Sequence, residues 1–314
     1  PDGIGEVSRG VDLARVLALT AATCDWPDGA RGLAPGDVIV VTSKVVAKAE
    51  GRVVPAADRR ATEAAETVEV LAEVPGGAQI VRNRHGVVLA AAGIDESNTA
   101  DGTVVLWPTD PDAAARELKA GVESALTVTP LAVIVTDTLG RAWRNGQVDT
   151  AIGVAGIDPL LDLAGSVDSH GRRLDVTAPA VADEVAAMAD LVKGKAAGRP
   201  VAFVRGLAHL VGAADGPGAE ALVRPPASDL FAQGSVRARR AGLAAAVGNR
   251  RTVRAFRPDT VPDDLIRAAV ADAINAPAPH HTTPWRFVQV KGESRTRLLD
   301  KMRQRWRSDL ATLD

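Results

Sequence analysis

The chain has 314 residues, 46% of them apolar, and a formal net charge of −2. That length suits about two domains of ordinary size, and the near-neutral charge gives no footprint for a nucleic-acid partner. A single cysteine, Cys24, excludes an intrachain disulfide and fits a reducing, cytoplasmic setting, and no apolar run approaches the ~20 residues of a membrane helix. In chain order, "VDLARVLALTAA" from Val11 has the apolar spacing of a helix. "GDVIVVTSK" from Gly36 reads as a β-branched strand feeding a polar loop, and "ADRRATEAAETVEVLAEV" as helix by composition. "GVVLAAAGID" reads as a strand ending at Asp95, and "PDAAARELKAGVESAL" as a helix with Asp112 near its start. "LAVIVTD" is apolar on both faces, as a central strand should be. "VADEVAAMADLVKGK" predicts a helix and "RPVAFVRGL" another buried strand.

Strands alternating with helices predict an α/β domain. Past Asp215 the composition turns to Gly, Pro and Ala, and "RARRAGLAAAVGNRR" reads as a helical connector. A new pattern begins at Asn249, which sets the expected division at residues 1–244 and 245–314. The opening "PDGIGEV" and closing "RWRSDLATLD" both read as interior sequence, so a fragment trimmed at both ends is expected. The basic, amphipathic "RTRLLDKMRQRWR" reads as a solvated helix face.

The densest chemistry lies in "VIVTDTLGRAWRNGQVDTAIGVAG", where an apolar run delivers Asp137 into a stretch with Gly140, Arg141, Arg144 and Asn145. Ligands of open α/β sheets gather beyond the carboxyl ends of strands. Four predicted strand ends carry polar clusters: Asp137; Ser43, Lys44 and Lys48; Asp95, Ser97 and Asn98; Arg205 and Gly206. Together they predict one site. Asp183 and Glu184 open a predicted helix, and with Asp137 they supply three carboxylates of the kind Mg²⁺ or Mn²⁺ takes. Lys44 and Lys48, four apart, would share a helical face and could hold phosphate oxygens. Carboxylates for metals beside cations for phosphates are the parts of phosphoryl transfer. There is no G-x-x-x-x-G-K-[ST] loop, and "GIGEVSRG" does not match G-x-G-x-x-G.

Six stretches in order carry a family resemblance: "DVIVVTSKVVAKAEGR", "NRHGVVLAAAGIDESN", "VIVTDTLGRAWRNGQVDTAIGVAG", "VADEVAAMADLVKGK", "PVAFVRGL" and "RPPASDLF". Through them residues 1 to about 245 resemble the coenzyme F420-0:L-glutamate ligases. From Asn249, "RRTVRAF" and "APAPHHTTPWRFV" resemble the opening of an FMN-dependent nitroreductase domain. The whole resembles the two-domain actinobacterial form of the ligase, with an incomplete second domain. The fold implied is a mixed-sheet α/β ligase domain followed by the start of an α+β nitroreductase-like domain.

The resemblance implies a reaction that consumes GTP. It uses two divalent cations, Mg²⁺ or Mn²⁺, with K⁺ as helper, and proceeds through an acyl phosphate. It joins L-glutamate to F420-0, adds further γ-linked glutamates, and releases GDP and phosphate. Asp137, Asp183 and Glu184 match the metal ligands, Ser43 and Lys48 the GTP contacts. Ile4, Gly5, Glu6 and Val7 fall where the family wraps the nucleotide, although Val11 stands where an acidic residue is commoner. Arg141 and Arg144 are assigned from chemistry alone, as partners for phosphate or substrate carboxylate. Arg250, Arg251, Thr252 and Arg254 resemble a flavin-phosphate clamp, while His280 and His281 stand where a small polar residue is usual. FMN is expected only in the complete second domain, which would reduce dehydro-F420-0. A homodimer is implied, and neither nucleic acid nor membrane is expected as a partner. The alternatives are a flavin oxidoreductase with a non-catalytic first domain, and a nucleotide or F420 binder without turnover.

Overall fold

The computed structural model describes residues 4–56, 59–73, 78–229, 231, 236–252, 255, 257, 259–274 and 285–311. Two compact units divide the chain, Pro1–Ala232 and Gln233–Asp314.

The first unit opens with α1 (Leu13–Ala22), β1 (Val38–Thr42), α2 (Ser43–Glu50), β2 (Val53–Pro55) and α3 (Arg59–Glu66). It continues with β3 (Thr67–Glu73), β4 (Gln79–Asn83), β5 (Val88–Ala90) and β6 (Thr103–Val105). Then come α4 (Pro111–Leu126), β7 (Ala132–Arg141), β8 (Arg144–Ala155), α5 (Val181–Lys193) and β9 (Val201–Val204). A four-stranded mixed sheet in the order β8-β7-β1-β9 is its centre. β1 and β7 run parallel; β9 and β8 lie antiparallel on either side.

Alternation along the two central strands divides the core. Ile39, Val41, Val133 and Val135 pack with Leu13 and Leu17 of α1 and Leu118 and Val122 of α4. Val38, Val40, Ala132 and Ile134 face the other way, onto Val181 and Val185 of α5. Helices on both faces explain why "VIVV" and "AVIV" are apolar at every position. Each fully buried Val, Leu or Ile contributes ~1.5–3 kcal/mol over an exposed one. Asp12 caps α1 by accepting from the Arg15 amide (3.0 Å), and Asp110 caps α4 by accepting from Ala113 (2.8 Å).

Several expectations need correction. The "TVEVLAE" half of the predicted second helix is β3, paired antiparallel with β4. Its Val and Thr residues favour the strand that the surrounding Ala and Glu conceal. "GVVLAAAGID" stops as a strand at Ala90, and a 3₁₀ turn, Ala91–Gly93, carries the chain to Asp95. The polar loop expected after β1 is α2 itself, which starts at Ser43. Arg205 lies away from the other strand ends: β9 runs against β1, so Arg205 meets Asp37 at the beginning of β1 (2.6 Å).

The second unit contains α6 (Val236–Asn249), α7 (Asp263–Ile274) and α8 (Gly292–Leu310). Lys291 pairs with Asp263 at 2.8 Å. Trp285–Val290 has neither helix nor strand structure. No helix among the described residues is long and apolar enough to cross a membrane.

Candidate active site

The parallel strands β1 and β7 end side by side, Thr42 opposite Thr136. β1 passes without a loop into α2, which puts Ser43 at the first helical position and Lys44 and Lys48 one turn apart. Both ammonium groups turn to the segment that follows Asp95. Lys44 Nζ reaches Asp95 Oδ2 (2.8 Å) and Ser97 Oγ (2.6 Å). Lys48, 7% exposed, donates to the Asn98 carbonyl (2.9 Å) and pairs with Glu6. Three of the four predicted clusters therefore meet, together with the N-terminal segment. In that segment Val7 is buried, Ile4 is half-buried, and Gly5 and Glu6 are exposed. Burial works to raise the Asp95 carboxyl, but the bonds from Lys44 and Ser97 outweigh it and hold it below the usual range.

Asp137 is not in a loop. β7 and β8 extend past the sheet as one ribbon, closed by Ala142 and Trp143, and Asp137 sits within it opposite Thr150. Ser43 Oγ donates to Asp137 Oδ1 at 3.2 Å, and Trp107 Nε1 donates to Oδ2 at 2.6 Å. Burial pushes this carboxyl up to about 6, against those two donors and the Thr138 amide, and the nearby Asp95 charge adds to the rise. Asp183 reaches the same stretch of ribbon from α5, accepting from the Ala151 amide at 2.8 Å. Burial raises it as well. Both carboxylates are half-buried, and among the described residues neither has an ion-pair partner. Glu184, expected as the third ligand, is exposed. Among the described residues no three of His, Cys, Asp and Glu are gathered as a metal site.

Arg141 and Arg144 pair with each other in register at the exposed tip of the ribbon, where Arg141 donates to the Asn145 carbonyl (2.6 Å). Four residues separate Arg141 from Asp137 along β7, on the order of 13 Å of strand. The structure does not bring these arginines to the carboxylates. Arg250, Arg251 and Thr252 are exposed just beyond α6 in the second unit. Arg254, His280 and His281 lie outside the described residues.

Two features escaped the sequence reading. Trp107 looks like one more core residue, yet its indole N–H is spent on Asp137. On the opposite face of β7, Asp149 is 2% exposed and accepts from both threonines flanking Asp137, Thr136 (3.1 Å) and Thr138 (2.6 Å). Lys193, 3% exposed, and Lys195 each reach Asp149 at 2.8 Å. Burial opposes ionisation of Asp149, but the bonds from Lys193, Lys195 and Thr138 hold it down at about 2. This network ties the last turn of α5 to the strand that carries Asp137. The only sequence signal was the lysine pair in "VKGK", which looks like an ordinary basic helix end.

A cavity of about 740 Å³ adjoins the ribbon, with Leu139, Thr150, Ile152 and Asp183 among its walls. The β4–β5 turn and the segments from Thr109 and Ala219 complete it.

Residues 3–206 match the family F420-0:Gamma-glutamyl ligase, and residues 247–313 match the Nitroreductase family. The coenzyme F420:L-glutamate ligase of Methanothermobacter thermautotrophicus is 38% identical over 251 residues, 73% of this chain and 96% of that one. Those of Methanopyrus kandleri and Archaeoglobus fulgidus are 35% and 37% identical, over 72% and 66% of this chain and 93% and 86% of theirs.

Proposed function

The chain belongs to the F420-0:gamma-glutamyl ligase family, and on that premise we propose that its first unit is a GTP-dependent ligase of coenzyme F420 biosynthesis. It joins L-glutamate to the carboxylate of F420-0 and then adds further γ-linked glutamates. The observation that carries this reading is the meeting of two kinds of group. Asp137 and Asp183 are half-buried and have no ion-pair partner among the described residues, and Ser43, Lys44 and Lys48 sit at the adjoining end of β1. On this reading the carboxylates would take a cation and the lysines phosphate.

A carboxylate is a poor electrophile, so it must first be activated. Transfer of the γ-phosphoryl group of GTP to a carboxylate oxygen gives an acyl phosphate and GDP. The glutamate amine then attacks the acyl carbon, loses a proton, and phosphate departs with the C–O electron pair. Lys48 would hold phosphate oxygens as a point charge, exchanging Glu6 or the Asn98 carbonyl for them. The Ser43 hydroxyl fixes one oxygen of Asp137 and Trp107 the other, so the carboxylate is oriented before substrates arrive.

A divalent cation, Mg²⁺ or Mn²⁺, would be held by Asp137 and Asp183, with phosphate oxygens completing its shell. Glu184 would join by turning inward. Such a cation would supply neutralisation of the charge on the transferring phosphoryl group. A second divalent ion and K⁺ belong to the same proposal. The Nitroreductase match supports a further activity in the complete second domain, FMN-dependent reduction of dehydro-F420-0. A cytoplasmic homodimer is the assembly that goes with this reading.

The test is mass spectrometry of F420-0 incubated with the protein, GTP, Mn²⁺ and L-glutamate. Products heavier by successive glutamyl residues are expected, with one phosphate released per glutamate added. GTP cleavage without a mass increase would overturn the reading.

A further inference from the structure

The cavity beside the ribbon has no role in the account so far, and its walls are specific. Its floor is the face of the ribbon that bears Asp137: Leu139 follows Asp137 by two residues on β7, and Thr150 is its cross-strand partner. α2, with Ser43 and Lys48, does not line it. At about 740 Å³ it lies within the range of sites for drug-sized ligands and exceeds what an amino acid fills.

Three arginines line the cavity, Arg82, Arg84 and Arg224, the first two already paired with Glu69 (3.3 Å) and Glu66 (3.0 Å), and its acids apart from Asp183 are engaged or lie at the rim. Asp112 accepts from the amides of Val154 (2.7 Å), Ala219 (2.7 Å) and Glu220 (3.4 Å). Asp110 caps α4, and Asp229 faces Arg82 at 4.0 Å. Glu220 is exposed at the rim. Arg224 is exposed too, and among the described residues it makes one long bond, 3.5 Å to the Ser228 carbonyl. Its other guanidinium nitrogens are free for an anion. Between the arginines and the floor the walls are apolar, with Val87, Ile152, Val223 and Phe231. His85, which burial moves toward its neutral form, stands among them without adding positive charge.

We infer that this cavity binds the acceptor whose carboxylate is activated: an extended, partly apolar molecule that carries a second anionic group. The anion pairs with Arg224 at the mouth, the body lies along the apolar walls, and the reacting carboxylate reaches the floor at Thr150 and Asp183. This assignment rests on the ligase reading and adds to it the side from which the acceptor enters. Nucleotide and acceptor would approach Asp137 from different sides, one past α2 and one through the cavity.

The test is calorimetric titration of F420-0 into the parent protein, Arg224→Ala and Val88→Trp. Val88 lines the cavity and is 41% exposed, so a larger side chain there narrows the space without disturbing the core. Affinity for F420-0 should fall at least tenfold in both variants, while affinity for GTP stays within twofold. Unchanged F420-0 binding in both, or no F420-0 binding by the parent, overturns the assignment. A loss confined to GTP or to glutamate does so too, by giving the cavity to the wrong substrate. The ligase reading is decided separately, by whether the parent protein makes the amide.

Discussion

The indole N–H of Trp107 and the carboxylate of Asp137 are joined by a 2.6 Å hydrogen bond across two elements that sequence places thirty residues apart. With Ser43 on the other oxygen, Asp137 is held by neutral donors that fix its direction without cancelling its charge. Such an arrangement favours a cation supplied from solution over an internal ion pair.

Asp137→Asn should abolish ligation and leave the fold intact. It should also change how the metal-free protein responds to pH. The folded-state value, about 6, lies above the ordinary carboxyl value of 3.8, so folding favours the protonated form. The parent is then most stable, as far as this group is concerned, below about pH 4, and loses stability as pH rises through 6. At ~1.4 kcal/mol per pKa unit the ceiling is about 3 kcal/mol. The variant lacks this loss, so with chelator present it should gain on the parent between pH 4.5 and 7.5. Urea denaturation at those two pH values reads the difference. A gap that does not change with pH would mean that the carboxyl group is solvated.

Lys48→Ala should weaken GTP by about 1.5–3 kcal/mol, the usual worth of a hydrogen bond to a charged group. Glutamate binding should change little. Glu6, left behind, is mostly exposed and can take up water, so little stability is lost. Titration calorimetry with unchanged GTP affinity would return Lys48 to a purely structural role.

Much of this site was legible in the sequence because it is local. The Asp183 helix start follows from spacing within a few residues, whereas the helix that puts Lys44 and Lys48 on one face was expected as a polar loop. The central strands follow from unbroken apolar runs. What was missed depends on pairing between distant segments. Arg205 seemed to belong to the site until β9 proved antiparallel to β1, which sends a strand's carboxyl end to the opposite edge. Arg141 and Arg144 were assigned from chemistry alone, as partners for phosphate or substrate carboxylate. The register carries the ribbon out to them as its last pair, with φ +63° at Trp143 turning the chain. Asp149 gave no local signal, since its partners come from β7 and from beyond α5.

Gly153→Ala should destabilise the first unit by about 1–3 kcal/mol, the range for overpacking a filled core. A Cβ there would lie 2.2 Å from the Pro111 carbonyl oxygen, and backbone at the start of α4 cannot move aside as a side chain would. Thermal melting reads this directly. An unchanged midpoint would show that α4 does not press on β8 so closely.

Asp149 should set the acid limit of the fold. Its folded-state value, about 2, lies below the ordinary carboxyl value of 3.8, so the ionised form is favoured by folding. The associated stability is fully present above about pH 4 and is lost as pH falls from 4 toward 2. Its size is about 2–3 kcal/mol. Asp149→Asn removes that dependence, and it costs more than the pH effect alone because Lys193 stays 3% exposed with its charge uncompensated. Breaking a buried pair from one side typically costs about 3–5 kcal/mol. The variant should therefore unfold at lower urea at pH 7, and its midpoint should decline less steeply than the parent's between pH 4.5 and 3. Asp149→Asn with Lys193→Met should recover part of the loss, since no buried charge is then stranded. A double variant no more stable than the single one would place the cost in the threonine bonds that flank Asp137, and not in the ion pair.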